Sequence, residues 1–273
     1  FFALLDSDFY DYIVIDEAHH SQADSYRKLF DHFQPQLLVG LTATPERMDG
    51  KDLRPDFGNR ISAEIRLPQA LQAGLLTPFQ YLCISDDTDL SDDSLWSGQK
   101  YNIERLADKL CAKTRAQLIV DALHKYLADE YTCRALCFCV NKRHADFMAE
   151  QLRLYGFNAQ SLTSDTPADE RKQLAKDLRE GTLHYLCVVD IFNEGVDIPE
   201  VDTVLFLRPT ESLTIFLQQL GRGLRLSAGK TELTVLDFVA QANRKYDFAS
   251  RFRALTLQPE KNIQKQIKEG FTL

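Results

Sequence analysis

Two adjacent carboxylates, Asp16 and Glu17, follow directly on the apolar run Tyr12-Ile-Val-Ile15, with His19 just beyond them. The carboxyl end of a strand is where an open α/β sheet binds its ligands. A carboxylate pair there suits phosphoryl chemistry, because one group can hold a hydrated Mg²⁺ while the other takes the proton of an attacking water. Read alone, the pair fits a solvated turn as well. Far downstream, Gln218, Gly221, Arg222 and Arg225 recur at spacings of three and four. On a helix capped by Ser212 that spacing puts Gln218, Arg222 and Arg225 on one face, opposite a stripe of Leu213, Phe216, Leu217, Leu220 and Leu224. Outward arginines can clamp a polyanion bidentately or simply form a solvated basic face. Between the two constellations stands Glu194-Gly195-Val-Asp197-Ile-Pro199. Its glycine permits a tight turn, and Asp197 could accept hydrogen bonds from a sugar hydroxyl; a plain turn reads equally well.

Strands must place these groups, and the apolar patterning supplies them. Tyr12–Ile15 and Leu37–Leu41 read as short buried strands with a helix between Ser21 and Phe33, and Thr42-Ala-Thr44 closes the second strand. A mixed stretch follows, with strand-like Ala63–Leu67 and Phe79–Ile84. Ser85 to Gln99 holds five aspartates and reads as a solvated loop and domain junction. Helical periodicity then runs from Ile103 to Ala128. Beyond it, strand-like runs at Ala135–Val140, Asn158–Leu162, His184–Val189, Thr203–Leu207 and Thr231–Phe238 alternate with helix-like runs at Lys142–Tyr155, Pro167–Glu180 and Ser212–Leu226. Apolar strands alternating with helices predict an α/β fold whose parallel sheets carry helices on both faces. The expected organisation is a partial first domain with its linker strand over 1–84, an acidic loop over 85–100, a complete second domain over 101–240 and a helical tail over 241–273. That tail carries seven Lys or Arg against three Asp or Glu.

Composition narrows the classes. The 273 residues are 44% hydrophobic and 26% charged, which excludes disordered and collagen-like chains. No apolar run reaches the roughly 20 residues of a spanning helix, so no membrane partner is expected. A net charge of −8 argues against a basic nucleic-acid coat and leaves room for a local groove. Six cysteines contain no C-x-x-C pair, and most fall in or beside strand-like runs, where a thiol acts as a small hydrophobe. That usage points to the cytoplasm.

Order and spacing together change the reading. Asp16-Glu-Ala-His19, then Thr42-Ala-Thr44, then Glu194-Gly-Val-Asp-Ile-Pro199, then Gln218-x-x-Gly-Arg-x-x-Arg225 resembles the superfamily 2 helicases and translocases, matching their motifs II, III, V and VI in order. The wording of Leu41–Asp49 and of Asn193–Leu226 is most similar to bacterial DEAD/DEAH-box proteins of the type III restriction-subunit kind, some of which carry an added nuclease domain. The resemblance implies two RecA-like domains with ATP in the cleft. It implies that Asp16 holds Mg²⁺, that Glu17 polarises the attacking water, and that His19, Thr42 and Thr44 couple nucleotide state to the domain interface. Gly195 and Asp197 are implied to contact ribose or nucleotide, with Gln218 nearby. Arg222 and Arg225 are implied to reach the γ-phosphate. DNA, or RNA in a DEAD-box relative, would then be met through its phosphates by Asn141, Lys142, Thr163 and Ser164. Many family members have Thr-Asp in motif V where this chain has Val189-Asp190, which leaves that hydroxyl contact without a donor.

A P-loop needs G-x-x-x-x-G-K-[ST] between a strand and a helix. The nearest text, Gly223-Leu-Arg-Leu-Ser-Ala-Gly-Lys230-Thr231, is one residue too long and follows a helix, so it reads as a turn. The sequence also opens at Phe1 rather than Met. The expectation is a fragment of a motor core that begins after the P-loop and is inactive alone. A non-hydrolysing nucleic-acid-binding or interaction module is the alternative.

Overall fold

The structure is a computed structural model that describes residues 4–21, 23–42, 53–98, 100–189, 197–210, 212–242 and 255. It divides into two compact units, Phe1–Ile65 and Arg66–Leu273.

In the first unit β1 (Tyr12–Ile15) pairs in parallel with β2 (Leu37–Gly40), Tyr12 beside Leu37 and Ile15 beside Gly40, and α1 (Asp24–His32) joins them. Consecutive β-branched residues at Ile13, Val14 and Ile15 favour the extended backbone. Ile15 is buried, while Tyr12 and Val14 point outward at 68% and 61% exposure. Gly40 is required by packing: a Cβ there would meet the Phe57 ring at 2.7 Å and the Ala18 Cβ at 3.0 Å. Arg27 clamps Asp56 through two 2.7 Å hydrogen bonds, and Ser21 Oγ donates to the same carboxylate.

The second unit opens with α2 (Leu67–Gln72) and the long strand β3 (Phe79–Leu90), followed by a small antiparallel pair, β4 (Trp96–Ser97) and β5 (Lys100–Tyr101). Two helices, α3 (Ile103–Leu110) and α4 (Lys113–Tyr126), lead to β6 (Ala135–Phe138). Then come α5 (Lys142–Leu154), β7 (Ala159–Leu162), α6 (Ala168–Glu180), β8 (Tyr185–Val188), β9 (Thr203–Phe206), α7 (Leu213–Gly223) and β10 (Leu233–Ala242). Six of these strands form one parallel sheet in the order β3-β10-β9-β6-β8-β7. One face packs Ile119, Leu123, Met148 and Leu152 of α4 and α5, and the other packs Leu178, Phe216 and Leu220 of α6 and α7. The parallel sheet with helices on both faces that the alternating pattern predicts is what forms, in the RecA-like arrangement that the resemblance implies.

Three local expectations fail. The aspartate-rich stretch is strand as far as Leu90, not loop from Ser85, and Ser85 and Asp86 pair with Val239 and Ala240 of β10. The expected helix from Ile103 to Ala128 breaks at Cys111. The strand Phe79–Leu90 belongs to the sheet of the second unit rather than to the first domain. Asp86 accounts for the first: its side chain is 2% exposed and accepts from Arg115 Nε at 2.6 Å, so a carboxylate sits inside a sheet because the first turn of α4 delivers a buried cation. Burial pushes the Asp86 carboxyl up, but Arg115 and the Thr88 hydrogen bonds outweigh it and hold it below its ordinary value. Residues 63–66, expected as strand, are irregular and lead into α2. The basic tail beyond Ala242 lies, except for Leu255, outside the described residues, as do Thr44 and Gly195.

Candidate functional site

At the carboxyl end of β1 the backbone turns sharply. Glu17 adopts a left-handed conformation, φ 48 and ψ 47, which a non-glycine residue enters at a cost of about 1 kcal/mol or more. Its N–H donates to Asp16 Oδ1 at 2.8 Å. The turn brings His19 Nδ1 to 3.2 Å from Glu17 Oε2 and to 3.2 Å from Thr42 Oγ1. Main-chain bonds lock the same corner: Ala18 N–H donates to Leu41 O, and Leu41 N–H to Ile15 O, both at 2.8 Å. Three residues expected to act together, Glu17, His19 and Thr42, thus form one cluster at the ends of two parallel strands. Asp16 stands exposed beside it. Among the described residues no group of three or more His, Cys, Asp or Glu is arranged to hold a metal. Mg²⁺ asks less of a protein, since it keeps water and substrate phosphates as ligands and takes one or two carboxylates. Asp16 fits that requirement.

In the second unit Ser212 Oγ caps α7, accepting from Ile215 N–H at 3.4 Å. The helix ends at Gly223, not at Leu226, so Arg225 lies beyond it and does not share a helical face with Gln218 and Arg222. Gly223 is required by packing at that end, because a Cβ there would meet Leu233 Cδ1 at 2.6 Å as the helix end presses onto β10. The carbonyls freed at that end are captured instead. Thr77 N–H donates to Leu224 O at 2.8 Å, Thr77 Oγ1 to Arg225 O at 2.9 Å, and Lys230 Nζ to Gly223 O and, at 3.0 Å, to Arg225 O. Lys230 Nζ donates also to Pro199 O at 3.1 Å. The Arg225 guanidinium forms an ion pair with Asp197. Two groups expected to touch a nucleotide therefore touch each other. Patterning alone missed Thr77 and Lys230; the available signal for the second was a lysine a few residues past a helix end, where cations and carbonyls attract.

The expected nucleic-acid residues cluster as well. Asn141 caps α5 by accepting from His144 N–H at 3.0 Å and donates to Glu104 Oε1 at 3.1 Å. Lys142 pairs with Asp165 at 2.6 Å, joining its loop to the Thr163-Ser164 turn, where Thr163 Oγ1 accepts from Asp165 N–H. Arg143 pairs with Asp108 at 2.6 Å. Behind them His144 is fully buried: desolvation, with Arg115, Arg208 and Arg143 nearby, holds its imidazole well below the ordinary value.

A six-stranded parallel sheet covered by helices on both faces, with charged side chains gathered at strand ends, is a RecA-like arrangement. Residues 100–227 match the helicase conserved C-terminal domain family, and residues 3–47 match the type III restriction enzyme, res subunit family. Across these two segments the chain carries the superfamily 2 helicase pattern. IRC3 of Saccharomyces cerevisiae, whose name describes an ATP-dependent helicase, is 30% identical over 238 residues, 85% of this chain and 34% of that protein. The type I restriction enzyme EcoKI endonuclease subunit of Escherichia coli is 25% identical over 310 residues, 95% of this chain and 26% of that protein. Among solved structures, a fragment of an HsdR subunit of a type I restriction enzyme from Vibrio vulnificus YJ016 is similar with a TM-score of 0.67 at 26% identity, over 92% of this chain and 46% of that one. The chain spans roughly a quarter to a half of the length of these relatives. No helix among the described residues is long and apolar enough to cross a membrane.

Proposed function

We propose that this chain is motor core of an ATP-dependent DNA helicase or translocase, coupling ATP hydrolysis to movement on nucleic acid. The observation that carries the reading is the Glu17–His19–Thr42 cluster, which joins the strand-end carboxylates to the end of the neighbouring strand. Asp16 would hold Mg²⁺, which when bound neutralises charge on the phosphates. Glu17, fixed by its left-handed turn, takes the proton of the attacking water at its carboxylate. His19 divides its Nδ1 position between Glu17 and Thr42, so a change at the base is felt at the end of β2. Arg222 and Arg225 supply cations to the transferring phosphoryl group, with Gln218 beside them, and Arg225 exchanges Asp197 for phosphate when it does so. Gly195 and Asp197 serve the nucleotide from the same unit, and Thr44 extends the coupling begun at Thr42.

DNA is the preferred polymer, because a relative 23% identical over 271 residues is named a DNA 3'-5' translocase and the motif wording lies on that branch. Its phosphates would be met by Asn141, Lys142, Thr163 and Ser164, with Lys142 leaving Asp165 for a phosphate oxygen. The free thiols, four of them buried, support a reducing compartment such as the cytoplasm.

Steady-state ATP hydrolysis by this chain, and by a version extended upstream of Phe1, tests the reading with single-stranded DNA, duplex DNA and RNA. Turnover by the extended form alone, accelerated by DNA and abolished by Glu17→Gln, is the expected result. Silence of the extended form with every polymer would favour a non-hydrolysing binding module, and acceleration by RNA alone would move the chain to the RNA-acting branch.

A further inference from the structure

Lys230 belongs to the one stretch that looks like a phosphate cradle, Gly229-Lys230-Thr231, yet it serves a different set of oxygens. Its ammonium has three N–H donors, and three main-chain carbonyls receive them: Gly223 O and Arg225 O from the end of α7, and Pro199 O from the turn that follows Asp197. The last carbonyls of a helix have no partners within it and carry its negative dipole end, so a cation is favoured there. Gly229 makes the return possible. Its φ of +81 is a conformation that glycine adopts without strain, and the turn it completes is closed by Lys230 N–H donating to Ser227 O at 3.2 Å. Thr77 braces the same segment from the other side, so Gly223 O, Leu224 O and Arg225 O are all held.

Resting on the motor reading above, we infer that Lys230 is a positioning residue that ties the backbone carrying Arg225 to the turn carrying Asp197, and thereby sets where the Arg225 guanidinium stands. The Arg225 side chain is 45% exposed and the Asp197 side chain 63% exposed. An ion pair so open to water holds little geometry by itself. The two backbones beneath it are fixed by one shared ammonium, which is what gives the guanidinium a defined origin from which to reach phosphate.

The protonation of Lys230 offers a readout that plain structural support would not move. Burial pushes its ammonium down to about 8, against the pull of Asp202 and Glu200, the acidic groups that face it. Glu200 also lies 3.8 Å from Arg179, and Asp202 accepts from the Arg134 N–H and from Thr203 Oγ1. A neutral amine has two N–H groups for three carbonyls, and the tie loosens as pH rises through about 8.

The test is the kinetics of the natural-length protein with DNA present. Lys230→Met should lower kcat about tenfold or more while leaving KM for ATP within about threefold, the signature of a group that matters in the transition state rather than in binding. Wild-type kcat should fall above pH 8, and Lys230→Arg, which stays charged, should shift that alkaline limb upward. Retention of kcat within about twofold in a folded Lys230→Met protein would overturn the inference. If Lys230→Met does not fold, an alkaline limb identical in wild type and Lys230→Arg overturns it instead. Amide exchange separates this failure from failure of the motor reading. Should the wild type hydrolyse nothing, Lys230→Met must still speed exchange selectively at 224–228 and 199–203, and unchanged exchange there would remove the tie itself.

Discussion

Every residue of β6, β8 and β9 in the second unit is buried, whereas β1 in the first leaves Tyr12 and Val14 more than half exposed. Both units are parallel α/β structures, and parallel strands ordinarily carry cover on both faces. In the second unit two helices cover each face of six strands. In the first, two strands hold their register through Gly40, Phe57 and the Arg27–Asp56 clamp, while one apolar face stays open among the described residues. The candidate chemistry is divided along the same line. Acidic groups and their histidine sit on the thin unit, held by a left-handed turn and one shared ring nitrogen. The arginines sit on the thick unit, at a helix end whose carbonyls are captured by Thr77 and Lys230. Precision on the thin side comes from local backbone geometry, and on the thick side from tertiary anchoring.

The largest effect that would break this division is kinetic. Arg225→Ala in the natural-length protein should lower DNA-stimulated hydrolysis by roughly 10³-fold or more, as loss of an arginine finger does, while the fold of the second unit is kept. A loss no greater than that of an exposed surface charge would make the thick unit a scaffold without chemistry. Next comes packing. Phe206→Ala, at a fully buried position, should cost about 3–5 kcal/mol in denaturant unfolding, whereas Val14→Ala should stay within about 0.5 kcal/mol. Equal costs would show that the open face of β1 is covered in solution.

Native-state amide exchange sharpens the same contrast at the level of local opening. Amides of Tyr12–Ile15 should exchange on the order of 100-fold faster than those of β6 and β9 in a monomer. Full protection of Tyr12–Ile15 would mean that the first unit is as cooperative as the second. The pH response should differ too. His144 has its folded value depressed below 6.5, so the unfolded chain binds the proton first and the second unit loses stability as pH falls below about 6.5. Asp86, also depressed, adds a further loss as pH drops below 3.8. Urea midpoints of the second unit should therefore decline from pH 7 to 5 and again below 4, and a flat profile would contradict the buried neutral imidazole. Asp197→Ala should likewise have a small effect on stability, no more than about 1 kcal/mol, because its pair with Arg225 is exposed.

Much of this molecule is written in local pattern. Strand-length runs at Ala135, Asn158 and Thr203, each followed by a helix-period segment, point to a parallel sheet covered by helices, since βαβ connections lay helices on its faces. Asp16-Glu17-Ala-His19 and Gln218-x-x-Gly-Arg222-x-x-Arg225 identify the family by residue type and order, because each chemical role needs its own side chain. Charge placement is different. Asp86 reads as loop until Arg115 arrives from another element to neutralise it, and Arg225 reads as helical until Thr77 and Lys230 collect the carbonyls at the helix end. Lys230 itself reads as part of a turn, and its partners come from two distant segments. Periodicity and residue type act within a few residues along the chain and are legible there. Ion pairs and carbonyl captures join groups far apart in sequence, and only the assembled fold could decide which oxygens each cation would meet.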